Sequence, residues 1–279
     1  MTVRIVTDSS CDLPQAMADA LGIRIVPLSV RFGDTEYIDR TTITATEFWS
    51  QCAASATLPE TAAPSQGSFE LTYRSLAAEG ATAIVVVALS SDLSATMQSA
   101  VLAARAVAPE IDVRIVDSRN ASMGLGLTVL ACAELAKTGA SADEVVARAQ
   151  SVIPRMRLYA ALDTLDNLKK GGRIGGAKAM LATVMSIKPL ISITNGLVAE
   201  AGKQRTRSKA LAHLVDILRN QQVPIERLAV LNAQCADIDA FVAMVKEVYT
   251  GEIIVGDIGA VIGTHAGQGT IGIVFLLSA

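Results

Sequence analysis

Hydroxyl groups are concentrated in Ser90-Ser91-Asp92-Leu93-Ser94-Ala95-Thr96, between the apolar run Ile84-Val85-Val86-Val87 and an alanine-rich segment that ends before Pro109. A β-branched run, a hydroxyl-rich turn and a helix start read as the carboxyl end of a buried parallel strand, the corner where open α/β sheets bind ligands. The first N–H groups of such a helix lack internal partners and carry the positive end of its dipole, so the turn can cradle an anion. It offers hydroxyls but neither a cation nor an adjacent base. That chemistry suits holding a carboxylate better than attacking a bond. Ser90, Ser91 and Ser94 would equally serve as a plain helix cap.

His265 is the titratable group that stands out, in a run of small residues from Gly263 to Gly269 that reads as a loop open to close approach by a ligand. Paired with Ser94 it defines an alternative function, a serine hydrolase or acyltransferase. Against this, no G-x-S-x-G elbow surrounds any serine and no orienting acid is identifiable. Neither His265 nor His213 has a second histidine at metal-ligand spacing, so no metal is expected. Gly267-Gln268-Gly269-Thr270-Ile271-Gly272 fits G-x-G-x-x-G, but a strand pattern follows it where a dinucleotide site opens a helix. The stretch Gly171 to Ala179 lacks the Gly-Lys pair and hydroxyl of a P-loop, so no cofactor and no ATP site of its own are expected.

Cations gather in one segment. Lys169, Lys170, Arg173, Lys178, Lys188, Lys203, Arg205, Arg207 and Lys209 face the single acid Glu200, giving +8 there, and a total of −3 leaves −11 for the rest. Such a local field on an acidic chain suits a phosphate or an acidic protein partner. Without interleaved aromatics it does not suit nucleic acid.

The elements that must position these groups follow a repeated pattern. Val3-Arg4-Ile5-Val6 ends in Thr7-Asp8-Ser9-Ser10, and Val113-Arg114-Ile115-Val116 ends in Asp117-Ser118. With the Ile84 strand this makes three strands that each lead through an Asp/Ser-rich turn into a helix, which predicts a mostly parallel sheet flanked by helices. Ile23 to Val30 reads as a strand, and Thr61-Ala62-Ala63-Pro64-Ser65 as a loop that can close over the serine turn. The pattern changes after Pro154, so two α/β domains are expected, residues 1–154 and 155–279. In the second, Asn195-Gly196 marks a hairpin and Ser208 to Arg219 a helix.

The 279 residues are 51% hydrophobic with only 4% aromatics, enough for a large aliphatic core. No apolar run approaches the ~20 residues that span a bilayer, and Met1 to Asp8 runs into a strand without a signal peptide, so a cytoplasmic location is expected. Cys11, Cys52, Cys132 and Cys235 are scattered and read as free thiols.

Thr7-Asp8-Ser9, Thr61 with Pro64-Ser65, the turn from Ser90 to Ala100, Leu168-Lys169-Lys170-Gly171-Gly172-Arg173-Ile174 and Ile262-Gly263-Thr264-His265-Ala266-Gly267 resemble, over the whole chain and in order, the DegV family. That family comprises bacterial fatty-acid-binding proteins that serve as the FakB subunit of fatty acid kinase. The resemblance implies a buried tunnel for one long-chain fatty acid at or near the domain junction. It also implies a separate ATP-binding kinase subunit that phosphorylates the carboxyl group for phospholipid metabolism. By position, Thr61 and Ser94 would hydrogen-bond the carboxylate with His265 close by, and Arg173, Arg205 and Arg207 would face the kinase and its phosphates. The chain itself would be a carrier without a catalytic residue, and any contact with a membrane would be transient. Asp92 and Ala95 stand where the family usually has glycines, Met97 where an aromatic is common, and Ala62-Ala63 where Ser-Gln is more usual. These departures bear on acyl-chain selectivity.

Overall fold

The computed structural model describes residues 2–182 and 187–279; Met1 of the first strand pattern lies outside them. The chain opens with β1 (Val3–Asp8), α1 (Gln15–Ala20) and β2 (Arg24–Val26). It continues through β3 (Ser29–Phe32), β4 (Thr35–Ile38), α2 (Ala45–Ala54) and β5 (Glu60–Ala62). Next come α3 (Gln66–Ala78), β6 (Ala83–Ala88), α4 (Thr96–Val107), β7 (Val113–Asp117), α5 (Ser122–Lys137) and α6 (Ala142–Val152). The remainder is β8 (Met156–Ala161), α7 (Asp166–Lys170), β9 (Lys188–Thr194), β10 (Leu197–Gln204), α8 (Arg207–Arg219), β11 (Ile225–Asn232), α9 (Ile238–Lys246), β12 (Ile253–Asp257), α10 (Ala260–Ala266) and β13 (Ile271–Leu277).

The fold is α/β, with a parallel N-terminal sheet in the order β2-β1-β6-β7 and a mixed six-stranded sheet in the order β10-β9-β8-β13-β11-β12. β6 is buried along its whole length, as a central parallel strand covered on both faces must be. Its side chains alternate: Ile84 and Val86 pack with Phe69, Tyr73 and Leu76 of α3 and Ala100 and Ala103 of α4. Val85 and Val87 join the opposite cluster with α5 and α6. The same cluster holds Leu158 of β8, Ala229 and Leu231 of β11, and Val274 and Leu276 of β13. Helix α5 therefore lies between the two sheets. Every residue from Ser122 to Ala133 is buried, because a helix enclosed by sheets needs no polar face.

Three sequence expectations change. The strand expected from Ile23 to Val30 divides: β2 belongs to the parallel sheet and β3 to a separate antiparallel sheet, β4-β3-β5. Pro27 stands at the break, where its missing N–H interrupts a ladder. Thr61 lies in β5, opposite Val30 of β3, not in a loop. The segment around His265 is helical, not a glycine-rich loop. Packing sets this outcome against propensity, since a Cβ at Gly263 would sit 2.7 Å from the Trp49 ring and 2.8 Å from Phe48 of α2.

Candidate functional site

A cavity of about 110 Å³, counted as room for the centres of water-sized spheres, lies between the two sheets beside the start of α5. On that measure one water needs roughly 10–15 Å³, so the space is far larger than a packing defect. Leu28, Leu89 and Leu93 line it from the first half, and Leu158, Ala160, Ile191, Leu231 and Val274 from the six-stranded sheet. Apart from Thr61, Ser94, Ser122, Arg173, His265 and Thr270, every described residue that lines it is apolar or glycine. Ser122 and Thr270 donate their hydroxyl protons to Asp12 and to the Ala266 carbonyl. The remaining four are residues that the sequence singles out, and the fold gathers them from β5, the β6–α4 turn, the segment after α7, and α10.

Their hydrogen bonds set what they can offer. His265 Nε2 lies 2.9 Å from Thr61 Oγ1. Its Nδ1 is buried without a partner among the described residues and abuts Gly171, where any side chain would collide with the ring. A buried N–H without an acceptor is the costlier orphan, so we assign the proton to Nε2, donating to Thr61. Burial, then the nearby Arg173 charge, lowers the His265 pKa to about 4, so the ring is neutral near pH 7. Thr61 thus receives a hydrogen bond and has its own proton to give. Ser94 Oγ accepts from the Thr96 N–H at 3.3 Å and lies 2.9 Å from the Thr96 hydroxyl, which leaves it able to donate when Thr96 is the donor of that pair.

Arg173 donates through Nε to the Leu93 carbonyl at 3.1 Å and through Nη1 to the Gly171 carbonyl at 2.6 Å. These braces place its guanidinium between the residue before Ser94 and the glycine against His265. A second cavity of about 500 Å³, polar and nearer the surface, shares Thr61, Arg173 and His265 with the first and adds Glu60, Asn167, Lys170 and Thr264. Asn167 Nδ2 holds the Thr264 carbonyl at 3.0 Å, fixing α7 against α10. The Thr61 hydroxyl therefore stands where an apolar bore meets a polar pocket that holds Arg173 and Lys170, and the Ser94 hydroxyl faces the bore alone.

Other residues are placed elsewhere. Arg205 and Arg207 line neither cavity. Arg207 forms a two-pronged pair with Asp237, at 2.6 and 2.8 Å, and donates to the Gly269 carbonyl, so it braces the turn before β13. Ser90 and Ser91 are spent on the Gly196 carbonyl and Asp117. Ala95, at the N-cap of α4, offers no side-chain cap; Ser94, one residue earlier, accepts from the Thr96 N–H of the first turn and also lines the cavity, so it serves both the helix start and the bore. A Ser94–His265 relay is not assembled, since the imidazole proton goes to Thr61 and no acid orients Nδ1 among the described residues. The bore-lining residues themselves escaped notice because they look like core. Gly272, a glycine inside the strand Ile271–Leu277, is the one whose type signals close approach of another molecule.

Among the described residues no helix is long and apolar enough to cross a membrane. The DegV family model matches residues 2–278. A DegV domain-containing protein of Streptomyces coelicolor is 37% identical over 277 residues, covering 98% of this chain and 97% of its own. Among solved structures, a fatty-acid-binding DegV family protein from Thermus thermophilus superposes with a TM-score of 0.90 at 34% identity, covering 100% of both chains. DegV of Bacillus subtilis, also described as a fatty acid binding protein, gives 0.90 at 29% identity, again over 100% of both. With a family model and relatives that span it almost end to end, this chain belongs to the DegV family.

Proposed function

We propose that the protein binds one long-chain fatty acid in the apolar bore, grips its carboxylate with Thr61 and Ser94, and presents that group through the polar pocket to a separate ATP-dependent kinase. The observation that carries the reading is the meeting of an aliphatic cavity and a cationic one at Thr61, Arg173 and His265. Fatty acid binding by the Thermus and Bacillus relatives supports it. In this reading residues 1–154 and 155–279 are the lobes that enclose the acyl chain, and the protein is a carrier that leaves the chemistry to its partner.

The energetics agree in sign and size. Burying ~15 methylenes at about 0.8 kcal/mol each gives a gross gain near 12 kcal/mol, from which immobilising the chain subtracts several. A carboxylate leaving water needs donors, or its pKa rises, and the Thr61 hydroxyl, primed by His265, is such a donor.

Arg173 separates binding from presentation. Arg173→Ala is expected to take up radiolabelled oleate like the wild type, because two hydroxyls hold the carboxylate, and to lose phosphorylation by the ATP-binding subunit of a fatty acid kinase. Loss of oleate binding in this variant would overturn the division of roles.

A further inference from the structure

Asp12, in the turn after β1, is 4% exposed and adopts a left-handed conformation at φ +49°. Its Oδ2 accepts from Ser122 Oγ at 2.6 Å, and its Oδ1 accepts from the Gly259 N–H at 3.0 Å. Ser122, itself at φ +51°, begins α5 and lines the bore. Gly259 caps α10, the helix whose Val261, Ile262 and His265 form the opposite wall. The approach requires glycine, because a Cβ at 259 would lie 2.9 Å from Asp12 Oδ1. A single carboxyl therefore joins the start of one wall helix to the cap of another. Two non-glycine residues in the left-handed region meet at that contact, a conformation that persists only where surrounding structure enforces it.

We propose that Asp12 is a positioning residue that ties α10 down over the tunnel, its neutral carboxyl holding the clasp shut and its ionised form letting α10 lift and the acyl chain leave. The proposal rests on the fatty acid reading above. Oδ1 accepts from Gly259 in either protonation state, and the Oδ2–Ser122 bond is donated by Ser122 to the ionised carboxyl and by the carboxyl to Ser122 when it is neutral. The difference between the two states is the charge, which a 4% exposed site keeps from water. The charged groups around it are Arg40, whose Nη2 holds the Leu13 carbonyl, and Asp39, with Asp257 at the end of β12 lining the same surface pocket and Cys11 adjacent in the chain. Among the described residues, the hydrogen bond from α5 is that of the Ser122 hydroxyl, and the one from the α10 side is that of its cap, the Gly259 N–H.

Burial raises the Asp12 carboxyl from the ordinary range to about 7, with the Ser122 and Gly259 hydrogen bonds and the Arg40 charge opposing it. Lifting Gly259 away admits water and returns the carboxyl toward its ordinary range. The closed form then binds the proton more tightly than the open form. Protonation favours closure, and raising the pH through about 7 favours opening. His265, near 4, stays neutral throughout that window.

The test is the rate at which radiolabelled oleate leaves the loaded full chain for excess albumin, from about pH 5.5 to about pH 8.5. The wild-type rate is expected to rise about thirty-fold across this span, ten-fold for each of the roughly 1.5 pH units between about pH 5.5 and a carboxyl near 7, and to level off above it. Asp12→Asn reproduces the hydrogen bonds of the neutral acid and is expected to release slowly at every pH. Gly259→Ala, which pushes the cap off the carboxyl, is expected to release fast even at low pH. A flat wild-type profile overturns the proposal, as does an Asp12→Asn variant that keeps the wild-type slope, since the oleate carboxyl titrates alike in both. If Asp12→Asn does not fold, the Gly259→Ala rate at low pH decides, and a wild-type value there overturns the proposal. Failure of the wild type to take up oleate would sink the fatty acid reading itself, whereas bound oleate with a flat profile sinks only the latch.

Discussion

Gly272→Leu is expected to close the bore while leaving the fold intact. Gly272 of β13 pairs with Ala160 of β8, and both line the cavity. A Cβ at 272 would meet the Tyr159 carbonyl at 3.5 Å and the Ala160 Cβ at 3.7 Å, ordinary contacts, so the backbone has room for a side chain. A leucine there puts its branched end into the space assigned to the acyl chain. Excluding about five methylenes at roughly 0.8 kcal/mol each costs about 4 kcal/mol, close to a thousand-fold in affinity. Oleate titration and thermal melting check this together: binding is expected to fall by that order while the melting temperature holds or rises. Wild-type affinity in a folded Gly272→Leu variant would mean that the chain lies elsewhere.

The second large effect belongs to the head group. Thr61→Val keeps the shape of the side chain but removes both the donor to the carboxylate and the acceptor for His265 Nε2. Ser94→Ala removes the other hydroxyl. A hydrogen bond to a charged group contributes about 1.5–3 kcal/mol, so the double variant is expected to lose about 4 kcal/mol, again near a thousand-fold. The loss distinguishes itself from that of Gly272→Leu by its indifference to the tail. It is expected to be the same for acids of different chain length and absent for a methyl ester, which has no carboxylate to hold. A loss that grows with chain length would place these hydroxyls along the acyl chain instead of at its head.

Much of this was legible in the sequence, for identifiable reasons. The parallel sheet announces itself because β6 is buried on both faces and so reads as an unbroken β-branched run. Ser94 was legible because a polar turn follows that run directly. Arg173 stood out within a basic segment, although the charge count alone could not separate it from Arg207, which Asp237 takes up at 2.6 Å. The position of Pro27 was visible but not its consequence, since a strand that changes sheets has the same local pattern as one that does not. His265 looked like a loop residue because Gly263 and Gly267 lower helix propensity. The reason for Gly263, two aromatic rings of α2 against it, is a contact between residues more than 200 apart and has no local signature. Asp12 was hidden for the same reason: its partners, Ser122 and Gly259, are 110 and 247 residues away.

The central claim is that the space between the sheets holds a fatty acid. Extracting the purified, folded protein with organic solvent and analysing the extract by mass spectrometry tests it most directly. The account predicts about one long-chain fatty acid per chain, or stoichiometric uptake when oleate is added to stripped protein. An extract without fatty acid, from protein that also takes up none, would contradict it.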